Sequence, residues 1–417
     1  MTTGTTWKLG SATVLLLCAC LSGCAGTGND NTTIPASAQV NNYVGTSPSL
    51  SALLAGVWGM RVDHSTNYFN LNDTGYDGAS PINFIGTLST AGPFELFNST
   101  YTNYPVSYLT GFYAIEVPGD AAILGPAEVG VAPAPTVFAE SNGCQPLSAA
   151  TTFQMIQLAP SVAESYGTIS VNTGQSDWTF SNFDLLQVDG TDNKPAALSN
   201  GACAQAAEGE VTTIPVTVAG QPLTYTAAIS PNGYFIMDRD DVEATQSQLT
   251  AQALGPLVGV AQPSSPLNTS SLMAANYAGF EYDGNHASPQ IPGLNSTTVQ
   301  PISFSGSNAT QTQMVGGTFP KGDPTQTPST DISVNLGTQD PKNNGLYPAA
   351  AVTFPDPDSV CVRIPYGSMS ASGNPTCTFR AVAVAGNPGG KYVLYLTVLN
   401  PVGIGGSSTI QFLLYPQ

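Results

Sequence analysis

Short runs of β-branched and aromatic residues, each ended by Gly, Pro, Asn or Asp, follow one another along the chain from Leu53 onward. Runs of this kind are typical of β-strands joined by turns, because branched and aromatic side chains pack well on a pleated sheet. Residues 243–257 form the one segment whose pattern favours a modest helix. The sequence therefore predicts an all-β fold.

The length of the chain and its linker-like segment predict two β domains. A Gln-Pro-Ser-Ser-Pro stretch at 262–266 separates a first domain, 51–250, from a second domain, 267–417. We expect each domain to be a β-sandwich or a β-barrel-like fold. An irregular β-propeller is the alternative, although no fixed repeat of about 20–50 residues supports it.

Charge is scarce and strongly acidic. Only 9% of the 417 residues are charged, and 9 basic residues face 27 acidic ones, for a net charge of −18. Helical bundles and coiled coils need far more charged residues. Nucleic-acid binding needs a basic surface that neutralises phosphates. The composition thus excludes both classes and predicts no nucleic-acid partner.

The first 23 residues have the pattern of a secretory signal peptide. Lys8 precedes a short apolar run that ends near Leu21 and is too short to span a bilayer. Leu21-Ser22-Gly23-Cys24 then resembles the lipobox of bacterial lipoprotein precursors. The resemblance implies cleavage before Cys24 and acylation of Cys24, so that the membrane is a partner through this lipid anchor.

This resemblance also predicts where the protein resides. Ala25, in place of an Asp, implies an outer-membrane destination, facing the periplasm or the cell surface. Residues 24–50 then form the lipidated Cys and a flexible stalk rich in Gly, Thr, Asn and Ser. Loss of Lys8 with the signal leaves a mature net charge of −19. An ordinary secreted protein or an N-terminal membrane anchor is the alternative.

Four cysteines remain after those of the signal and the lipobox: Cys144, Cys203, Cys361 and Cys377. An even number in an exported protein predicts disulfides. We favour the pairs Cys144–Cys203 and Cys361–Cys377, because each pair lies within one expected domain. No Cys-x-x-Cys spacing supports a metal site instead.

Catalytic motifs are sparse. Both histidines, His64 and His286, lie in turn-like sequence and are expected on the surface, with a metal-ligand or general-base role as the alternative. Asp73-Thr74-Gly75 resembles the catalytic triplet of pepsin-type proteases, but a second such triplet is missing, so a turn is the expected structure. A hydrolase would need two acids close together, and its candidates are Asp63, Asp73, Asp77, Asp238 and Asp283.

Two further clusters are candidate binding sites. Asp238, Asp240 and Asp241 follow a predicted strand and offer oxygen ligands for Ca²⁺, although a solvated cluster without any cofactor is the expected reading. A second stretch is dense in aromatic residues, which stack on sugars or anchor protein interfaces when they do not simply pack. Its candidate ligand-binding residues are Tyr101, Tyr104, Tyr108 and Tyr113.

Two functional hypotheses follow. The first is a lipid-anchored extracytoplasmic envelope protein without enzymatic activity. Its role would be structural, adhesive or ligand binding, with a glycan or an envelope protein as partner. The second is an extracytoplasmic hydrolase, a glycosidase or a protease, that uses paired carboxylates.

Overall fold

A computed structural model describes most of the predicted β body. The described residues are 40–46, 58–73, 83–101, 111–127, 135–140, 150–158, 165–173, 177–187, 201–206, 209–218, 221–239, 256–283, 299–306, 313–355, 367–369, 375–398 and 410–417. They all belong to one compact unit, Pro35–Gln417. Among the described residues, no helix is both long and apolar enough to cross a membrane.

The first eight strands form a closed antiparallel barrel in which each strand pairs with its neighbour in sequence and β1 pairs with β8. The strands are β1 (Val40–Gly45), β2 (Trp58–Asp63), β3 (Tyr68–Asp73), β4 (Asn83–Ala91), β5 (Phe94–Tyr101), β6 (Gly111–Val117), β7 (Ala121–Pro126) and β8 (Thr136–Glu140). Its interior is filled by large side chains, including Trp58, Phe69, Phe84, Phe97 and Phe138. An eight-stranded barrel is just wide enough for side chains to fill.

The next eight strands close a second antiparallel barrel through pairing of β9 with both β10 and β16. They are β9 (Thr151–Gln157), β10 (Ser165–Thr173), β11 (Asp177–Gln187), β12 (Gly201–Ala206), β13 (Gly209–Val218), β14 (Gln221–Ile229), β15 (Tyr234–Arg239) and β16 (Leu257–Ala261). Phe153, Met155, Tyr225 and Phe235 are among the residues that fill its interior.

A nine-stranded antiparallel sheet follows, and an additional pairing of β21 with β23 curls it back on itself. Its elements are α1 (Thr269–Ala274), β17 (Tyr277–Asp283), β18 (Val299–Ser305), β19 (Met314–Thr318), β20 (Ile332–Asn335), β21 (Leu346–Pro355), β22 (Gly367–Met369), β23 (Pro375–Gly386), β24 (Val393–Val398) and β25 (Ile410–Pro416). Two 3₁₀ turns, Pro320–Gly322 and Pro388–Gly390, lie within this part of the chain. Leu272 and Met273 of α1 pack into the core on one face of the sheet.

A shared apolar core joins the outer faces of the two barrels and the sheet. Ile123 of the first barrel, Ile236 of the second and Phe280 of the sheet all belong to it. Strands in this core have both faces buried, as in β7, whose six residues are all buried. This arrangement explains why β7 and β24 have nearly continuous apolar sequences rather than alternating ones.

The predicted all-β fold with barrel-like units is confirmed, and the described strands form no propeller blades. The range 51–250 holds most of two barrels, and 267–417 holds the curled sheet. These domain limits stay a prediction, since the described residues belong to one compact unit. The helix predicted at 243–257 falls outside the described residues except at its end, where Leu257 begins β16.

The predicted stalk differs from the structure at its end. Val40–Gly45, within the range 24–50, is the first strand of the first barrel. The segment has two adjacent Asn residues and is short, so its sequence has little of the usual strand pattern. Its Asn41 and Tyr43 nevertheless lie buried, because a carboxylate inside the barrel accepts hydrogen bonds from both.

Candidate functional site

Two glutamates occupy inward-facing positions at one end of the first barrel. In β6, Phe112 and Ala114 belong to the interior core, so Glu116, two residues further on, faces the same side. In β5, Glu95 precedes the interior residue Phe97 by two positions. Both glutamates adjoin turns at the same end of the barrel, as does His64 in the turn after β2. We call His64, Glu95 and Glu116 the acid–histidine cluster.

Glu116 is the centre of this cluster. Its side chain is only 3% exposed. Oε1 accepts hydrogen bonds from the Tyr43 hydroxyl and, at 2.7 Å, from Asn41 Nδ2. Oε2 lies 2.7 Å from His64 Nε2, in a third hydrogen bond. Both oxygens of this buried carboxylate are therefore engaged.

Glu95 is held more loosely. Its Oε1 lies 3.7 Å from His64 Nδ1, beyond hydrogen-bonding distance. Its Oε2 is buried and has no hydrogen-bond partner among the described residues. The imidazole of His64 thus lies between two carboxylates. Both oxygens of Glu116 accept hydrogen bonds, whereas Glu95 Oε2 accepts none among the described residues.

Burial and like charge shift the proton affinities of these groups. Burial, and then the charge of Glu116, raise the pKa of Glu95 to about 7. The hydrogen bond to Glu116 is the main cause of the raised pKa of His64, which burial opposes. Burial raises the pKa of Tyr43 well above its usual value. Burial also raises the pKa of Glu140, at the end of β8.

The turn that carries His64 is fixed by Asp63. Asp63 Oδ1 accepts hydrogen bonds from the hydroxyl and backbone N–H of Ser65 and from the backbone N–H of Thr66. The Ser65 hydroxyl is the main reason that the pKa of Asp63 is lowered. Arg61 Nη2 adds an ion pair with Asp63 at 3.1 Å. Asp63 is thus a turn-forming residue, and it positions the neighbouring imidazole over the barrel end.

The cluster has the geometry of a possible metal site. One ligand atom from each of His64, Glu95 and Glu116 lies within 4.8 Å of the others. Among the described residues, this is the one group of three or more His, Cys, Asp or Glu side chains with such a geometry.

His64 differs from its expected surface position. Its side chain is only 13% exposed and is hydrogen-bonded to Glu116. Sequence analysis missed Glu95 and Glu116 altogether, because neither belongs to a known motif. The available signal was a charged residue at an inward position of a strand, as in Phe112-x-Ala114-x-Glu116.

The other predicted acids do not join the cluster in the described part of the chain. Asp238 is buried in β15 and Asp63 forms its turn, while Asp73 and Asp283 end β3 and β17. Asp77, Asp240, Asp241 and His286 lie outside the described residues. The Ca²⁺ site at Asp238, Asp240 and Asp241 stays a prediction.

The aromatic stretch and the cysteines are described only in part. Tyr113 packs edge-to-face on Phe94, 6.1 Å between ring centres, beside the core shared by the barrels and the sheet. Tyr101 ends β5, and Tyr104 and Tyr108 lie outside the described residues. Cys377 is buried in β23 and disulfide-bonded, and Cys203 lies in β12. Cys24, Cys144 and Cys361 are outside the described residues, so lipidation and pairing stay predictions.

Comparison with solved structures gives distant likenesses. The chain matches no protein-family model and no curated protein sequence. It is similar to a crystal structure of a double mutant of transferrin binding protein B, a vaccine antigen from Haemophilus parasuis Hp5. That alignment has 10% identity and a TM-score of 0.28, over 91% of this chain and 76% of that chain. A single mutant of the same protein aligns with 8% identity and a TM-score of 0.25, over 87% and 66%. Superpositions this distant carry no argument about function.

Proposed function

We propose that the protein is a lipid-anchored extracytoplasmic envelope protein, held in a bacterial outer membrane through Cys24, with a binding or structural role. The observation that carries the proposal is the lipobox Leu21-Ser22-Gly23-Cys24 at the end of a signal-like segment. Several acyl chains on one Cys anchor a protein stably, because each buried CH₂ adds about 0.8 kcal/mol.

The packing of the barrels supports recognition by outer surfaces and loops. Aromatic side chains such as Phe69, Phe97 and Phe138 fill the interior of the first barrel. Phe153, Tyr225 and Phe235 do the same in the second barrel. A glycan or protein partner would therefore meet the strand connections and barrel ends rather than an internal cavity.

Binding is favoured over hydrolysis by the hydrogen bonds of Glu116. A retaining glycosidase needs two carboxylates about 5–5.5 Å apart with one free to attack the sugar. Glu95 and Glu116 are close enough to resemble such a pair. However, Asn41, Tyr43 and His64 engage both oxygens of Glu116, whose side chain is almost fully buried. In this arrangement neither oxygen of Glu116 is oriented for attack on a sugar.

Anchoring is tested by metabolic labelling with an alkyne fatty acid in a Gram-negative host. We expect the wild-type chain to be labelled and to sediment with membranes. Cys24→Ser should be unlabelled and accumulate as an uncleaved precursor. Cys20→Ser is the matched control, because Cys20 leaves with the signal. Labelling of Cys24→Ser at the wild-type level would overturn the anchoring proposal.

The partner is tested separately with the full chain in detergent. A glycan array and a pull-down from envelope extracts distinguish a sugar ligand from a protein ligand. Binding to one glycan class with an affinity that survives competition by other glycans supports the glycan version. Failure on the whole array removes that version. Glycosidase or protease turnover that Glu116→Gln abolishes would instead support the hydrolase.

A further inference from the structure

We propose that His64, Glu95 and Glu116 form a binding site for one divalent transition-metal ion of the Zn²⁺ class at the end of the first barrel. The three side chains come from β2's turn, β5 and β6, which the barrel holds in fixed register. Their ligand atoms lie within 4.8 Å of one another. A bound ion would replace the hydrogen that His64 Nε2 and Glu116 Oε2 share at 2.7 Å, so these two atoms would separate slightly while Glu95 moves closer.

The groups around the cluster resemble the outer shell of a metal site. Asn41 and Tyr43 donate to Glu116 Oε1 and thereby fix the orientation of that carboxylate. Asp63 fixes the turn that carries the imidazole. Metal-ligating side chains are commonly held by such hydrogen bonds, which set their direction toward the ion.

A separate observation points to a cation at the cluster. Glu95 Oε2 is buried without a hydrogen-bond partner among the described residues. Burying a carboxylate oxygen without a partner is unfavourable. The same carboxylate reaches only to 3.7 Å from His64 through Oε1. A cation between Glu95 and the imidazole would satisfy both groups.

The charge balance favours a cation. Two carboxylates, Glu95 and Glu116, flank the His64 imidazole at 3.7 Å and 2.7 Å, and Asp63 adds a third negative charge that acts on it. Arg61, the nearby basic residue, forms an ion pair with Asp63. The Glu95 side chain is 28% exposed and Glu116 only 3%, so the ion would enter from the Glu95 side.

The donor set selects the metal class. One imidazole nitrogen and two carboxylate oxygens suit Zn²⁺ and its first-row neighbours, with water as a further ligand. Ca²⁺ takes six to eight oxygen ligands, which this cluster lacks. We therefore expect Zn²⁺ or Co²⁺ to bind and Ca²⁺ to bind far more weakly.

The test is titration of the full chain, in detergent and without a polyhistidine tag, with Zn²⁺ by calorimetry and thermal unfolding. We expect one equivalent of Zn²⁺, a higher unfolding midpoint, and Co²⁺ absorption bands typical of a low-coordinate site. His64→Ala and Glu95→Gln should weaken binding at least about tenfold. Glu95→Gln keeps the side-chain size and loses only a weak native contact, so the variant should fold.

Two matched controls make the result decisive. His286→Ala removes the other histidine of the chain, and Asp340→Asn removes an acid from an exposed turn. Both should bind Zn²⁺ as the wild type does. The site is overturned if Zn²⁺ gives no heat and no stabilisation, or if His64→Ala and Glu95→Gln bind as tightly as the wild type. The lipid anchor at Cys24 stands or falls independently of this result.

Discussion

Asn232, in the turn between β14 and β15, donates a 2.7 Å hydrogen bond from its side-chain amide to Asp120 Oδ2, in the turn after β6. Asp120 Oδ1 also accepts hydrogen bonds from the Asn232 backbone N–H and the Ser230 hydroxyl, both at 3.2 Å. These residues belong to different barrels, and Asp120 is only 6% exposed. A single buried carboxylate therefore links the first barrel to the second.

Removing this carboxylate should weaken the contact between the barrels. Asp120→Ala leaves the hydroxyl of the buried Ser230 without its acceptor and removes two hydrogen bonds from the exposed Asn232, so we expect a loss of about 1–3 kcal/mol in the free energy of unfolding. Asp120→Asn should cost much less, because its oxygen keeps two hydrogen bonds and the Asn232 amide can rotate to accept the third. Urea unfolding followed by tryptophan fluorescence measures both. Equal losses in the two variants would contradict this assignment.

Comparison of the wild type with Asp120→Asn also gives a pH test. Burial raises the pKa of Asp120 in the folded state, despite hydrogen bonds that lower it. A raised folded-state pKa means that the folded chain binds the Asp120 proton more tightly than the unfolded chain does. The stability that this proton contributes is therefore lost as pH rises through the raised pKa. Wild type should therefore lose stability relative to Asp120→Asn between the ordinary pKa of 3.8 and the raised value. A constant difference from acid to neutral pH would contradict the prediction.

Ionisation of Glu95 should likewise lower the stability of the fold, but at higher pH. Its pKa is raised to about 7 by burial and by Glu116, from an ordinary value of 4.5. In EDTA, ionisation of Glu95 should therefore destabilise the fold progressively from pH 4.5 through pH 7. Glu95→Gln removes this cost, so its unfolding midpoint should exceed that of wild type at pH 8 but match it in acid. Thermal unfolding across this range, with Asp340→Asn as the control, measures the difference.

The strands of the C-terminal sheet are the part of the fold that the sequence predicts best. Predicted strands at 377–385, 392–399 and 410–414 correspond to β23, β24 and β25 within a few residues. Their runs of apolar residues are long because both faces are buried. Strand signals of this kind come from local sequence and need no knowledge of neighbours.

The candidate site depends on contacts that no local pattern records. Asn41 and Glu116 are 75 residues apart, and His64 and Glu116 are 52 apart. His64 looks like a surface residue in sequence because it follows Asp63 in a turn. The closure of the barrel by β1 and β8 brings these residues to one end. Pairing of distant strands, and hence the site, could not be read from the sequence.

Tyr395 and Tyr234, both in the shared core, provide a matched pair of substitutions. Tyr395 donates a 3.1 Å hydrogen bond to the hydroxyl of Tyr415, and both rings are buried. The Tyr234 hydroxyl is buried without a hydrogen-bond partner among the described residues. Tyr395→Phe should therefore cost about 1 kcal/mol, whereas Tyr234→Phe should be neutral or stabilising.

Urea unfolding of the two variants tests this difference directly, because both changes remove one oxygen and keep the ring. The centre of the Tyr415 ring lies 5.4 Å from that of Tyr234 and 6.1 Å from that of Tyr395, and each variant retains this packing. A larger loss in Tyr234→Phe than in Tyr395→Phe would show that Tyr234 has a polar role.

Gly125 in β7 allows the first barrel to approach the C-terminal sheet. A Cβ at this position would lie 2.5 Å from the Phe280 ring and 2.8 Å from Val299 Cγ1. Gly125→Ala should therefore displace Phe280, which packs edge-to-face on Phe94 at 5.4 Å, and cost about 1–3 kcal/mol in unfolding free energy. Thr90→Ala, on an exposed position of β4, should stay within about 0.5 kcal/mol of wild type.

A double mutant identifies the clash as the cause. Phe280→Leu alone creates space and should destabilise the fold, but in Gly125→Ala it makes room for the added methyl group. The double mutant should therefore be more stable than the sum of the two single losses predicts, with a coupling of about 0.5–3 kcal/mol. Strictly additive losses would mean that the added methyl group disturbs the strand itself. The close approach of β7 to Phe280 would then not explain why a glycine is required there.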